Sequence, residues 1–248
     1  MLTVLTQNLR IDVASDGRND WSHRRPLVEN LLRTYQADVL AFQEVFENQR
    51  RDLIAMLPGY DWHGRGREPD GTGEGCYIFW NKLRLQPVSQ ETFYLAPDPQ
   101  QPGLAWDAAC PRICNRVVLK AEQLPAFQLY NVHLDHVGRL ARQKSAEMVR
   151  TRMAQSEEPA ILLGDFNQQG LFESLPSLLG LQDAFSVHGA DATGTFHGFH
   201  GLPQASPIDY ILTTSHFTVD FCQLLTDHWE ERYPSDHFGL LAGFELAV

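Results

Sequence analysis

Ile161-Leu162-Leu163-Gly164-Asp165-Phe166-Asn167 is an apolar run, too short for a helix, that ends in a carboxylate and a carboxamide. Strand alternation places Asp165 and Asn167 on one face, where the pair can orient and deprotonate a water or bind a metal. Gly, Asp and Asn are equally the ordinary residues of a turn, so this stretch alone leaves both readings open. Its weight comes from recurrence elsewhere in the chain.

Leu5-Thr6-Gln7-Asn8 ends in an amide, Val39-Leu40-Ala41-Phe42-Gln43-Glu44 in a carboxylate, and Leu129-Tyr130-Asn131-Val132-His133 in an imidazole. Ile208-Asp209-Tyr210-Ile211-Leu212 holds an acid among apolar residues, which is costly unless the acid is paired or metal-bound. Ser235-Asp236-His237 stands immediately before the last apolar segment. Singly, Asn8 reads as a turn cap, His133 as a satisfied core histidine and Asp236 as the start of a turn. Together, Asn, Glu, His, Asp-x-Asn, Asp and Asp-His at successive strand ends describe a hard-metal site with a general base attached.

Strand-like runs cover 2–9, 38–42, 76–80, 113–120, 127–133, 160–163, 207–212, 217–225 and 238–246, with fewer helical signals than strict βαβ alternation requires. One helix is expected to follow Pro26, where Leu27, Val28, Leu31, Leu32 and Tyr35 share a face. A second is expected over 139–155, with Leu140, Met148, Val149 and Met153 inward and its basic residues solvated. Two long loops, 64–75 (GRGREPDGTGEG) and 96–112 (APDPQQPGLAWDAACPR), are of a length that usually serves a site or is disordered. The first lacks the ending of a phosphate-cradling P-loop. With no internal repeat or linker, the pattern points to one domain over 1–248 built of two sheets face to face and covered by helices.

The chain of 248 residues is 43% hydrophobic and 21% charged, the composition of an ordinary globular protein. It has no run of about 18 apolar residues, and Met1 leads directly into a strand-like segment, so a cytoplasmic protein without membrane insertion is expected. Four cysteines, Cys76, Cys110, Cys114 and Cys222, are expected unpaired. A net charge of −11 weighs against a nonspecific grip on long nucleic acid, although bound Mg²⁺ or Mn²⁺ can make an acidic cleft locally positive.

The blocks TQNLR, FQEV, NVHLDH, GDFN, PIDYIL and SDH, in this order from Asn8 to His237, resemble the endonuclease/exonuclease/phosphatase superfamily, which includes deoxyribonuclease I, apurinic endonucleases and deadenylases. HLDHVG, TFHGF, DAACPRI and YPSDHF look most like a bacterial group of compact metal-dependent hydrolases distantly akin to deadenylases. The resemblance implies a four-layer α/β/β/α sandwich of the DNase I-like kind, with two mixed β-sheets flanked by helices. It implies Glu44 as principal ligand of Mg²⁺ or Mn²⁺, with Asn8 and Asp236 assisting. Asp165, oriented with Asn167, would position the attacking water, and Asp209 would hold His237 as base or phosphate contact. His133 would help stabilise phosphoryl charge, Arg112 would clamp a phosphate oxygen, and His197 would touch substrate. Arg10 stands where apurinic endonucleases carry an acid, which puts a second metal in doubt.

The expected activity is therefore metal-dependent hydrolysis of a phosphate monoester or diester, small or a short oligonucleotide, with no obligate protein partner. Two rivals remain at this point. A nuclease would need a rim such as Trp21, His23, Arg24, Arg25, Trp62, Arg65 and Trp106. A non-catalytic binding protein on the same fold would show damage to the constellation, yet every position is filled.

Overall fold

The computed structural model describes residues 1–122, 124–187 and 193–246. One sheet contains β1 (Leu2–Asn8), β2 (Val39–Val45), β3 (Tyr60–Gly66), β4 (Gly75–Asn81), β11 (Phe217–Leu225) and β12 (Gly239–Leu246) in the order β11-β12-β1-β2-β4-β3. The other contains β5 (Gln86–Tyr94), β6 (Ile113–Ala121), β7 (Leu124–His133), β8 (Ala160–Asp165), β9 (Gln182–Asp183) and β10 (Asp209–Thr213) in the order β5-β6-β7-β8-β10-β9. Each sheet has one parallel pair at its centre, β1 with β2 and β7 with β8, and antiparallel neighbours outside it. The helices α1 (Trp21–Tyr35) and α3 (Arg139–Met153) make the two parallel crossovers, and α2 (Glu47–Met56) follows β2.

Alternation sorts the side chains into three apolar layers, which is the expected four-layer sandwich. Val4, Val39, Ala41 and Ile78 meet Leu129, Ile161, Leu163 and Ile211 between the sheets. Leu5, Leu40, Phe42 and Phe79 face Val28, Leu31, Leu32 and Leu53 of the helices on one outer face. Tyr130, Val132, Leu162 and Leu212 meet Ala146, Val149 and Met153 on the other. Burial on both faces explains why the central strands read as continuous apolar runs.

Polar bolts cross the apolar middle layer. Asn131 of β7 donates from Nδ2 to the carbonyls of Phe42 and Tyr77 in the opposite sheet, both at 3.0 Å. Its Oδ1 accepts from Gln43 Nε2 at 2.7 Å, and Asn115 of β6 donates to the Cys76 carbonyl. All three amide side chains belong to fully buried residues.

The structure departs from the sequence reading in several places. Helix α1 begins at Trp21, five residues before Pro26, with Asp20 accepting from the His23 amide at its N-terminus. Pro26 leaves the Ser22 carbonyl without its helical partner, and Ser22 is exposed, so water can replace the bond. Leu140 is 44% exposed; Ala141 takes the inward place. Edge strands β3 and β5 were not foreseen, being polar and half solvated, and β3 shortens the first long loop to 67–74. The four cysteines are free, and among the described residues no helix is long and apolar enough to cross a membrane.

Candidate active site

The topology gathers the polar strand ends at one edge. The parallel strands finish there with Asn8, Glu44, His133 and Asp165. Their antiparallel neighbours β4, β6, β10 and β12 start there, beside or at Glu74, Arg112, Asp209 and Asp236-His237. The result is a cleft of about 720 Å³ whose walls include Glu44, Glu74, Arg112, His133, Asp165, Asn167, Asp236 and His237. Asn8 and Asp209 lie buried beneath it.

Two of these residues owe their aim to strained backbone. Strict alternation would turn Glu44 toward the helices with Phe42, but the β2–β4 register breaks between Phe42 and Val45 and Glu44 adopts φ 58°. Its carboxylate thereby lines the cleft. Asn167 lies past the end of β8 at φ 49°, and its amide donates to Asp165 Oδ1 at 2.8 Å. The Gly-Asp-Phe-Asn stretch is thus both a turn and part of the site. Left-handed non-glycine residues of this kind concentrate where a fold holds groups for chemistry.

At the floor, Asn8 Nδ2 donates to Glu44 Oε1 and Asp165 Oδ2, each at 3.0 Å, while Asn8 Oδ1 accepts from the Arg10 amide. Asn167 Nδ2 is tied to the Leu134 carbonyl at 3.0 Å. His133 Nε2 lies 3.5 Å from Asp165 Oδ2 and 3.9 Å from Glu44 Oε1. His237 Nδ1 lies 2.8 Å from Asp209 Oδ2, and its Nε2 is 3.9 Å from Asp165 Oδ2. Burial works against a charged His237, but the Asp209 carboxylate overrides it and raises the imidazole to about 10. The pairing with Asp209 favours the imidazolium form of His237.

The donor set fits a hard divalent cation. Glu44, His133 and Asp165 present ligand atoms within 4.8 Å of one another. Burial and the neighbouring Glu44 charge raise the Asp236 carboxyl, against the opposing pull of His237, Arg10 and Arg24. Carboxylates crowded enough to resist ionisation are what a bound cation relieves.

Glu74 is the group that sequence reasoning missed. It meets Arg67 Nη1 at 2.8 Å, Arg112 Nη1 at 3.2 Å and His133 Nδ1 at 3.0 Å, the last too bent for an in-line hydrogen bond. Burial opposes its charge, yet His133, Arg112 and Arg67 hold it at about 2. Arg112 lines the cleft, but Glu74, Asp135 (3.7 Å) and His136 Nδ1 (3.1 Å) already surround its guanidinium. His197 does not reach the cleft. It is buried, stacks on Phe238 at 4.1 Å between centroids and accepts from the Gly201 amide through Nδ1.

None of the residues read as a nucleic-acid rim lines the cleft. Trp21 is buried with its Nε1 on Asp52, Trp62 lies under Arg50 against Tyr77 and Phe79, and Trp106 packs beside Tyr94 and Ile113. Arg65 is spent on the carbonyls of Glu68 and Pro69. Arg24 is 1% exposed and donates to the carbonyls of Leu9, Arg10, Ile11, Asn19 and Pro234, so it binds the segments beside Asn8 and Asp236 together.

Known proteins resemble this chain over nearly its whole length. A crystal structure of an endonuclease/exonuclease/phosphatase family protein from Bacteroides thetaiotaomicron is 31% identical with a TM-score of 0.92, over 100% of this chain and 98% of that one. A mannosyl-6-phosphatase of the same bacterium is 30% identical with a TM-score of 0.91, over 99% of this chain and 100% of that one. The catalytic domain of human Nocturnin, solved with sulfate, shares the fold at 21% identity and a TM-score of 0.77, over 99% and 93% of the two chains. An uncharacterized protein of Acanthamoeba polyphaga mimivirus is 25% identical over 169 residues, 62% of this chain and 63% of the length of that protein. The profile of the Endonuclease/Exonuclease/phosphatase family matches residues 5–237, and to that family the chain belongs.

Proposed function

We propose that the chain is a Mg²⁺- or Mn²⁺-dependent hydrolase of small phosphate monoesters. The observation that carries this reading is the convergence of Glu44, Asp165, Asn167, His133 and His237 on one polar cleft that none of the rim tryptophans lines. The 30% identical mannosyl-6-phosphatase supports a monoester over a nucleic acid.

Glu44 and Asp236 would hold the ion, with Asn8 spacing Glu44 from Asp165 through its two donated bonds. The ion would supply charge neutralisation and polarisation of a phosphoryl oxygen. Asp165, fixed by Asn8 and the Asn167 amide, would orient the attacking water and accept its proton. His237, cationic through Asp209, would bind a phosphoryl oxygen rather than act as base. His133, backed by Glu74, would complete the oxyanion cradle from the opposite side. Arg10, paired with Asp16 at 2.9 and 3.1 Å, puts a cation where a second ion would want an acid, which favours a single ion.

The test is a panel of sugar phosphates, nucleotides, inositol phosphates and short DNA and RNA with Mg²⁺, Mn²⁺ or EDTA. Monoesters are expected to turn over and EDTA to stop them. Asp165→Ala and His237→Ala should each lower kcat by at least about 10³-fold with the fold intact. Full activity in either variant would sink the assignment.

A further inference from the structure

The cleft has a second wall that the reaction does not use, formed by Gln168, Gln169 and Gln204. Resting on the monoesterase reading above, we propose that Gln169 and Gln204 form a hydroxyl-reading subsite and that the leaving group is a polyol with neighbouring hydroxyls.

The wall is built rather than incidental. Gln168 and Gln169 directly follow Asn167. Gln168 accepts from Arg142 Nε at 3.0 Å, donates to the Gln169 carbonyl at 2.6 Å and receives the Tyr210 hydroxyl on its own carbonyl at 3.0 Å. Gln204 comes from a separate loop, and its backbone pairs with the Phe196 carbonyl at 2.9 Å and the Gly194 amide at 2.8 Å. A side chain at position 194 would stand 2.0 Å from the Gln204 carbonyl, so only glycine permits this approach. Both backbones are therefore fixed before any ligand arrives.

Across the gap, Gln169 Nε2 donates to Gln204 Oε1 at 3.0 Å. Both residues are exposed to the cleft, and Gln169 Oε1 and Gln204 Nε2 have no protein partner among the described residues. The pair thus offers one acceptor and one donor side by side. Exchanging oxygen and nitrogen in both amides leaves the same offer. Neighbouring hydroxyls, each able to donate and accept, match it; a planar base would want an aromatic face instead. Phe196 is the one carbocyclic aromatic residue on the cleft wall among the described residues, and its ring meets His237 edge-on at 5.1 Å.

The Asp135-His136 stretch, joined to Gln168 through Arg142, adds a third polar contact. Arg112 can only donate, so His136 Nδ1, 3.1 Å from its Nη2, must be the acceptor nitrogen. The proton then sits on Nε2 of an exposed ring that lines the cleft.

The experiment compares p-nitrophenyl phosphate, which lacks such hydroxyls, with hexose 6-phosphates and their monodeoxy analogues, using wild type, Gln169→Leu and Gln204→Leu with Mn²⁺ present. The ratio of kcat/KM for the hexose phosphate over p-nitrophenyl phosphate should fall about tenfold in each variant, through KM rather than kcat. Removing the recognised hydroxyl should cost the wild type about tenfold and the variants about twofold or less. An unchanged ratio in both variants, or wild type indifferent to every deoxy position, overturns the subsite while p-nitrophenyl phosphate turnover leaves the monoesterase reading standing. Failure of wild type to hydrolyse any phosphate ester overturns both.

Discussion

Glu74→Gln removes one negative charge from between two guanidiniums, Arg67 and Arg112, and the His133 ring while keeping the side chain's size. The carboxylate is held at about 2 against an ordinary 4.5, and its side chain is only 14% exposed. At about 1.4 kcal/mol per pKa unit, that gap corresponds to about 3 kcal/mol of stability. A depressed carboxyl contributes its full amount above pH 4.5 and loses it as the pH falls through 4.5 toward 2. Wild type should therefore exceed the variant by about 3 kcal/mol at pH 7 and by roughly half as much at pH 3. Urea denaturation of both proteins at the two pH values measures the difference, with unchanged m-values as the control. A gap of the same size at both pH values would refute the electrostatic account, and a gap near zero at pH 7 would show that Arg67, Arg112 and His133 do not depend on this charge.

Asp209→Asn should lower the His237 titration from about 10, since only Asp165 and Asp236 are then left to oppose burial; imidazole NMR over pH 4 to 11 reads it. The wild-type pair stabilises fully below about 6.5 and progressively less as the pH rises through the folded value, so the variant's stability should show a shallower alkaline decline. Gly164→Ala should cost about 3 kcal/mol or more, because φ is 127° and the new methyl would lie 2.0 Å from the Val132 carbonyl; urea midpoints report it. Arg24→Met should cost about 3 to 5 kcal/mol by orphaning buried carbonyls, and should also raise the Mn²⁺ concentration needed for half-maximal activity, measured by metal titration.

Much of the candidate site was legible because both parallel pairs place their polar groups at the same point, the carboxyl end of an apolar run. Asn8, Glu44, His133 and Asp165 follow that rule, and Asp236-His237 follow its mirror, standing just before a strand. Glu74 obeys the mirror rule too, one residue ahead of β4, but the glycines around it disguised the strand start as the end of a loop. His197 misled because a polar ring in a glycine-rich stretch reads as exposed, whereas it is buried, stacked on Phe238 with Tyr233 tilted against it, and burial pushes its pKa down to about 4. Edge strands β3 and β5 escaped because a strand with solvent on one side need not be apolar. The start of α1 escaped because Pro26 carries a stronger stop signal than Asp20 carries a start signal.

Asn131, Gln43 and Asn115 touch no part of the cleft, yet Glu44 stands on one sheet and Asp165 on the other. Apolar faces can slip past one another with little change in energy, but a buried amide has a small set of permitted positions, each about 1–3 kcal/mol better than an unpaired one. The bolts therefore act as a vernier that sets one half of the reactive centre against the other. In an activity screen, Asn131→Leu should score like a catalytic lesion while its thermal transition remains cooperative, and a hunt for catalytic residues by loss of turnover alone would count it among them.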